Sequence, residues 1–598
     1  VRVRVLYSPK VQQQTRPFGQ IAGDSGGAER TNTLQIMSSA DAEENELMLG
    51  LEKPLKVRPY EEWWTARSKR DAKYNIRFSS EYTEPALAEP NVDPTTLARL
   101  NLPFATGSHA GWNVTVWRRH SGNDLRTWRD ELGGRPSINE VCEILDGIEE
   151  IMRPLHDAGY VVLNVRPEHV RLSTDGLVVF DHLEDVFPLG AEVSGQQFEP
   201  GYVHPEFFDG RKETFAMLTA DIHLLAALTW FLLVGADPPS TALTSFIPAA
   251  PLRAFLPSLP VGIAPIVEAA LTHGDAVPFA RPRDFTQRLR DAGERSGLED
   301  PQPLDEIQLV GESHPGIAKR LATPINQDAI FYDKEGNTAL MLVADGVSTA
   351  RFGRGDIASQ MLKDETQRAW KALDDFDIDT PEDRRKWLSG ILHRTNQQLI
   401  EEVNERFAPF DGSRPLDVMA TTATMALIHE SRLTLATLGD SPAYIVRDGD
   451  IERLNRDHNV MTLELAQGVS PERIASIAWP DALSRCLGSY ALANNGRLIP
   501  RDSEVDFLEL NLQYGDRVLL CSDGIVDYIG ESHADAEDYL LELLIEESVP
   551  SIAALEAILE ANRGGGGDNL SILLLYAEEQ LEPLILTSEY VTVEDDDY

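Results

Sequence analysis

Four apolar runs of strand length, each abutting an aspartate and a glycine, constrain this chain more than any other feature. They span 339–344, 433–438, 517–521 and 570–575. Asp345, Asp440 and Asp523 lie just beyond the first three runs, and Asp568 precedes the fourth. Runs this short and this rich in leucine and β-branched residues read as strands covered on both faces; a half-exposed strand would alternate with polar residues. Gly346, Gly439, Gly524 and Gly567 adjoin the acids, so the backbone can turn sharply there and approach whatever the carboxylates hold. A single acid at a strand end is most often a turn or helix-cap residue. Four in this arrangement point instead to carboxylates gathered at one place. Converging carboxylates repel one another unless a divalent cation neutralises them, and hard oxygen ligands suit magnesium or manganese.

The length of 598 residues exceeds what one hydrophobic core organises, so two or more domains are expected. With 54 Lys and Arg against 97 Asp and Glu, the net charge is −43. That balance excludes partners that need a basic surface, nucleic acid and acidic membranes among them. Cys142, Cys486 and Cys521 lie far apart without a C-x-x-C pattern, which argues against a disulfide framework or zinc ribbon and for a reducing cytoplasm. No apolar segment follows the opening Val1-Arg2-Val3-Arg4, and the longest apolar stretch, 224–236, is too short for a bilayer and reads as a core helix. A soluble cytoplasmic protein is the expectation.

Residues 1–45 are polar and aperiodic and read as flexible. Ser137 followed by Glu140 predicts a capping box opening a helix with Val141, Ile144, Leu145, Ile148, Ile151, Met152 and Leu155 on one face, ending near Gly159. Residues 298–306, with Pro301 and Pro303, predict a linker. Beyond it strands alternate with long helices, including 394–407 and 536–547, and Arg447-Asp448-Gly449-Asp450 predicts a hairpin turn. The acidic run 594–597 closes a solvated tail, 579–598. Gly564 to Gly567 could suggest a nucleotide loop, but the run leads into a strand rather than a helix.

In order along the C-terminal half stand Asn326-Gln327-Asp328-Ala329, Val343-Ala344-Asp345-Gly346-Val347, Thr421-Thr422, Leu438-Gly439-Asp440-Ser441, Asp457-His458-Asn459, Ser484-Arg485-Cys486-Leu487-Gly488, Leu520-Cys521-Ser522-Asp523-Gly524 and Gly566-Gly567-Asp568-Asn569. In that order they resemble the metal-dependent protein phosphatases (PPM, type 2C). The resemblance implies an α-β-β-α sandwich over 307–578 carrying two manganese or magnesium ions, with a third, weaker one. It implies that Asp345 bridges two metals, that the Gly346 carbonyl ligates one, that Asp523 and Asp568 ligate the other, that Asp328 supports the site, and that Asp440 serves the third. It further implies a metal-activated water attacking phosphoserine or phosphothreonine, with no covalent intermediate. Asp345, Asp523 and Asp568 are thus the catalytic candidates. The chain departs from the pattern at Thr323, where members place a phosphate-gripping arginine, and at Pro442. Arg320, Arg351 and Arg354 are the candidates for that grip.

A second resemblance covers 100–295. Val162-Leu163-Asn164-Val165-Arg166-Pro167-Glu168-His169 is similar to a protein kinase catalytic loop, Asp181-His182-Leu183 to its magnesium motif, and Gly201-Tyr202-Val203-His204-Pro205-Glu206 to the end of its activation segment. Asp221 matches a buried central helix, and Arg281 is placed to pair with Glu206. Asn164 holds the place of the base and cannot take a proton; His169 replaces a metal-binding asparagine; Asp181 alone survives of the magnesium ligands. No glycine-rich loop is present. The resemblance implies a pseudokinase over 46–297 with a degenerate small lobe.

The whole reads as an α+β multidomain chain: a kinase-like bilobal domain followed by the PPM-type sandwich. Its expected activity is protein serine/threonine phosphatase, with the N-terminal half regulating or recruiting phosphoprotein substrate, a cognate kinase being one such partner. The alternative is a signalling scaffold that binds metal or phosphoprotein without turnover. Nothing in the sequence addresses oligomeric state.

Overall fold

The structure, a computed structural model, describes residues 2–4, 33–37, 47–58, 61–68, 72–79, 92–101, 105–109, 112–174, 176–181, 186–193, 201–208, 214–238, 252–271, 279–296, 304, 306–411, 417–469, 471–474 and 476–578. Two short segments aside, the chain divides into two compact units at Gly297 and Leu298. The expected linker core, 298–303, and the acidic tail lie outside the described residues. No helix among the described residues is long and apolar enough to cross a membrane.

The first unit opens with a closed barrel in the order β1-β2-β3-β4-β5-β7-β6. Its strands are β1 (Arg2–Arg4), β2 (Thr33–Met37), β3 (Leu47–Arg58), β4 (Glu61–Ser68), β5 (Lys73–Ser79), β6 (Ala105–His109) and β7 (Trp112–Arg118). Two stretches read from sequence as flexible, Arg2–Arg4 and Thr33–Met37, are therefore strands; closure of the barrel supplies backbone partners that no local apolar pattern announces. Leu49, Trp64, Ile76, Phe78, Val114 and Val116 fill the interior.

Helices follow: α1 (Ile138–Asp157), α2 (Leu218–Val234), α3 (Ile263–Leu271) and α4 (Pro282–Ser296). The capping box at Ser137 and Glu140 forms with both reciprocal bonds, Glu140 N donating to Ser137 Oγ at 3.2 Å and Ser137 N to Glu140 Oε2 at 2.8 Å. α2 is buried almost all round and stops where Gly235 takes φ +83°. Its Asp221 accepts hydrogen bonds from the backbone N–H groups of Val162 (3.0 Å) and Leu163 (2.7 Å) and contacts His156 Nε2 at 2.8 Å. This carboxylate holds Leu163 at φ +61°, a conformation costly for a branched side chain. The expected pairing of Arg281 with Glu206 is absent among the described residues: both are exposed, and Arg281 N donates to Asp284.

The second unit is two packed five-stranded antiparallel sheets. The first has the order β9-β10-β11-β12-β15 and the second β8-β17-β16-β13-β14. The strands are β8 (Glu306–His314), β9 (Asp328–Glu335), β10 (Thr338–Asp345), β11 (Ala423–His429), β12 (Arg432–Leu438), β13 (Ala443–Arg447), β14 (Asp450–Arg453), β15 (Asp506–Asn511), β16 (Arg517–Cys521) and β17 (Leu570–Glu578). All four apolar runs are strands, and the reason is visible in β10. Ala339, Met341 and Val343 enter the layer between the sheets. Leu340, Leu342 and Ala344 face α5 (Gly355–Trp370) and α6 (Pro381–Phe407). On the far side, Leu519, Cys521, Ile572 and Leu574 pack against α7 (Asp523–Asp527), α8 (His533–Glu546) and α9 (Pro550–Arg563). With both faces covered, alternation disappears from the sequence. α6 begins well before the expected 394, because Thr380 caps it and Pro381 occupies its first turn. Asp448 (φ +54°) and Gly449 (φ +84°) make the expected hairpin turn.

Candidate active site

One end of the sandwich collects the acids. Asp328 opens β9 and Asp345 closes β10, and the two are register partners. The Asp345 backbone is fixed by β11: its N–H donates to Thr422 Oγ1 (2.9 Å), and its carbonyl accepts from Thr422 N (2.8 Å) and Thr421 Oγ1 (2.9 Å). Thr422 Oγ1 in turn lies 2.7 Å from Ser441 Oγ, tying this turn to the one carrying Asp440. A Cβ on Gly346 would sit 2.3 Å from the Gly355 carbonyl, so only glycine fits there.

Asp523 begins α7, and Asp568 ends the loop before β17. A Cβ added to Gly524 would fall 2.2 Å from Asn569 O and 3.3 Å from Asp568 Cβ, so the two acid-bearing turns touch. The carboxyls of Asp345 and Asp523 are close enough to share a hydrogen bond. Asp328 Oδ2 accepts from Ser571 Oγ at 2.7 Å.

The electrostatics record the crowding. Burial, reinforced by Asp523 and Asp568, pushes the Asp328 carboxyl up to about 7. Burial and Asp527 raise Asp523 to about 6, while burial with Asp523 and Asp457 raises Asp440 to about 8. Asp345, deepest in the group, is held well above the ordinary carboxylate range by burial and by Asp328, Asp523, Asp440 and Asp568.

The structure therefore brings together Asp328, Asp345, Asp440, Asp523 and Asp568. It does not bring in the three arginines considered for the phosphate. Arg320 and Arg351 are exposed, and Arg354 forms an ion pair with Asp356 at 2.5 Å. The cation that does reach the group is Lys319, whose Nζ lies 2.7 Å from Asp568 Oδ1. Burial works against its ammonium, but Asp568, Asp345 and Asp523 outweigh that and raise its pKa. Sequence reading also missed Arg453 and Asp457, an ion pair beside Asp440, and Asn569, whose Oδ1 accepts from Gln327 N at 3.0 Å. No short-range signal marks Lys319. Asp457 and Asn569 do lie inside the motifs already noted.

No group of three or more His, Cys, Asp or Glu side chains among the described residues stands as a finished metal cage. Asp568 and Asp328 are turned toward Lys319 and Ser571. The donor chemistry nevertheless fits a hard divalent cation. Every converging side chain offers carboxylate oxygen, and two of those oxygens, Asp328 Oδ1 and Asp523 Oδ1, are buried without a hydrogen-bond partner. A cleft of about 650 Å³ opens beside Gly346, lined by Val347, Thr349, Asp417, Arg485, Cys486 and Tyr490 among others.

In the first unit, Asp181 is fully buried. It accepts from Arg171 Nη2 (2.8 Å) and Nε (2.9 Å), Asn101 Nδ2 (3.1 Å) and Asn75 Nδ2 (3.4 Å). Asn164 Oδ1 is buried without a partner, and His169 Nδ1 faces Arg166 N at 3.4 Å.

Comparison with known proteins agrees with the C-terminal geometry. The family model for protein phosphatase 2C matches residues 318–560. The serine/threonine phosphatase stp of Listeria monocytogenes serotype 4b is 30% identical over 254 residues, 42% of this chain and 89% of that protein. Protein phosphatase PhpP of Streptococcus pneumoniae is 26% identical over 259 residues, 43% of this chain and 93% of its own. Among solved structures, the catalytic domain of serine threonine protein phosphatase PstP in complex with two manganese ions aligns over 46% of this chain and 99% of that one, at 25% identity and a TM-score of 0.34. The second unit is a phosphatase domain of mixed α/β build. Through it the chain belongs to the protein phosphatase 2C family.

Proposed function

We propose that the second unit is a metal-dependent hydrolase of phosphoserine and phosphothreonine in proteins, and that Asp345, Asp523 and Asp568 are its catalytic core. The observation that carries this reading is the meeting of Asp328, Asp345, Asp523 and Asp568 from separate strand ends, with two buried carboxylate oxygens left unpartnered. The family relationship supports the same activity.

Asp345 and the Gly346 carbonyl would hold one divalent ion, manganese or magnesium. Asp523 and Asp568 would hold a second beside it, with Asp328 in support and Asp440 available to a third. When bound, such ions supply Lewis acidity toward phosphoryl oxygens and an acidified water as nucleophile. The chain's own part is positioning. Thr421 and Thr422 fix the Asp345 backbone, and Ser441 couples it to the Asp440 turn. The cleft beside Gly346 would receive the polypeptide flanking the phosphorylated residue. The cysteines take no part: burial raises the Cys486 thiol to about 11 and pushes Cys521 higher, so both stay protonated and poorly nucleophilic.

For the first unit we propose a kinase-like module without phosphoryl transfer, acting in regulation or substrate recruitment. The support is chemical. Asn164 is no base, and Asp181 is committed to Arg171, Asn75 and Asn101 inside the fold, away from any nucleotide.

The test is phosphate release from a phosphothreonine peptide with manganese. Chelator-sensitive turnover, lost in Asp345→Asn and Asp523→Asn, is expected. No turnover under any divalent metal would leave the scaffold alternative.

A further inference from the structure

Lys319 is not an ordinary surface lysine. It starts the four-residue turn Lys319–Ala322, and the segment before that turn is clamped to the loop that carries Asp568. The Gly566 carbonyl accepts from both Ala318 N (3.0 Å) and Lys319 N (3.1 Å). Ile317 N donates to Asn562 Oδ1 (2.9 Å), and Asn569 Nδ2 donates to the Pro315 carbonyl (3.2 Å). Gly316 at φ +73° makes the closest approach: a Cβ there would lie 2.0 Å from the Asp568 carbonyl oxygen. The backbone is thereby fixed so that a mostly buried aliphatic stem delivers its ammonium to Asp568 Oδ1 at 2.7 Å.

Two features make this contact more than a structural ion pair. The ammonium faces Asp345 and Asp523 as well as Asp568, so it meets the field of the whole acidic group. Asp568 is also one of the carboxylates proposed above to hold a divalent ion, while the partnerless buried oxygens belong to Asp328 and Asp523, which Lys319 does not cover. An ammonium and a divalent cation cannot both take the same carboxylate oxygen at contact distance, because both compete for one lone-pair direction and repel each other.

We propose that Lys319 is a built-in counter-ion of the candidate metal centre. It neutralises Asp568 in the metal-free chain and competes with one divalent cation for that carboxylate, so metal uptake at this position requires the ammonium to be displaced. The lysine thereby sets the metal concentration at which the centre fills. This rests on the metal-dependent reading above and deepens it, since the competition makes occupancy of one cation position adjustable while the positions at Asp345 and Asp523 are left alone.

The experiment is calorimetric titration of manganese into the chelator-stripped full chain, for the wild type, Lys319→Met and Lys319→Arg. Thermal melts are recorded without metal and at saturating manganese. The expected result is that Lys319→Met tightens one manganese site by about fivefold or more, the scale of a partly buried ion pair that no longer competes, while Lys319→Arg keeps wild-type affinity. Lys319→Met should also melt lower than wild type without metal and level with it at saturation, because bound metal replaces the lost counter-ion. A purely structural lysine would lower both melts equally. That result, or a Lys319→Met affinity that is weaker or tightened by less than about fivefold, overturns the proposal. Where Lys319→Met does not fold, Lys319→Gln carries the same test. If the wild type takes up no manganese at all, the metal-dependent reading itself falls; if it binds but the substitution leaves its affinity alone, only the counter-ion proposal does.

Discussion

Asp328 and Asp345 stand directly opposite each other as register partners at the end of β9 and β10, both in a crowded, largely buried setting. Like charges in facing cross-strand positions destabilise a sheet, so this pair opposes folding unless something neutralises it. The site is thus bought at a cost in the metal-free chain.

Replacing Asp328 with Asn removes that repulsion while keeping an acceptor for Ser571. In chelator at pH above 8 we expect Asp328→Asn to be more stable by roughly 2 kcal/mol, a rise of about 4–8 °C in the melt of the second unit. Manganese-dependent phosphate release should fall in the same variant. Differential scanning calorimetry beside a turnover assay checks both.

The raised carboxyls also fix the sign of the pH dependence. Asp328 at about 7, Asp523 at about 6 and Asp440 at about 8 hold protons in the folded chain at pH values where the unfolded chain has released them. Stability of the metal-free second unit must then fall as pH rises from about 4 to about 8 and level off beyond. Melts at several pH values in chelator should show this decline, and Asp328→Asn should flatten it. Metal affinity should run the opposite way, strengthening over the same window as the ligands deprotonate.

Asp506 behaves in the reverse sense. Burial opposes its charge, but His458 Nε2 (2.9 Å), Arg456 Nε (2.6 Å) and Arg485 (3.2 Å) outweigh it and hold the carboxyl well below the usual range. Its stabilisation is complete above the ordinary carboxylate value and is lost as pH falls below it. Because His458 Nδ1 accepts from Gly439 N at 3.1 Å, this network also positions the turn bearing Asp440. Asp506→Asn should cost about 2–3 kcal/mol at neutral pH and weaken manganese binding at the site nearest Asp440. Urea melts and metal titration measure the two effects.

In the first unit, the Asp181–Arg171 pair is fully internal. Arg171→Ala leaves a buried carboxylate without its counter-charge and should destabilise that unit by about 3–5 kcal/mol. Saturating ATP with magnesium should not shift the wild-type melt. A clear upward shift would show that nucleotide reaches this unit and would sink the sealed-site reading.

How much of this was legible in the sequence depends on how local each signal was. The runs at 339–344 and 570–575 were readable because strands covered on both faces need no alternation, and Asp448-Gly449 announces its own turn through positive φ. The convergence of Asp523 with Asp568 came from motif order, since no local pattern encodes the contact of Gly524 with Asn569. Lys319 was illegible because its aim depends on Gly316 fitting against Asp568, a contact spanning more than half of the second unit. Arg2–Arg4 and Thr33–Met37 were missed because barrel closure is a tertiary effect that leaves little apolar periodicity in its shortest strands.

Manganese-edge anomalous diffraction from crystals grown with manganese probes the central claim most directly. The account predicts two strong peaks about 4 Å apart or closer, contacting Asp345, Asp523 and Asp568. A map from well-diffracting crystals with no anomalous peak within reach of these carboxylates would contradict it.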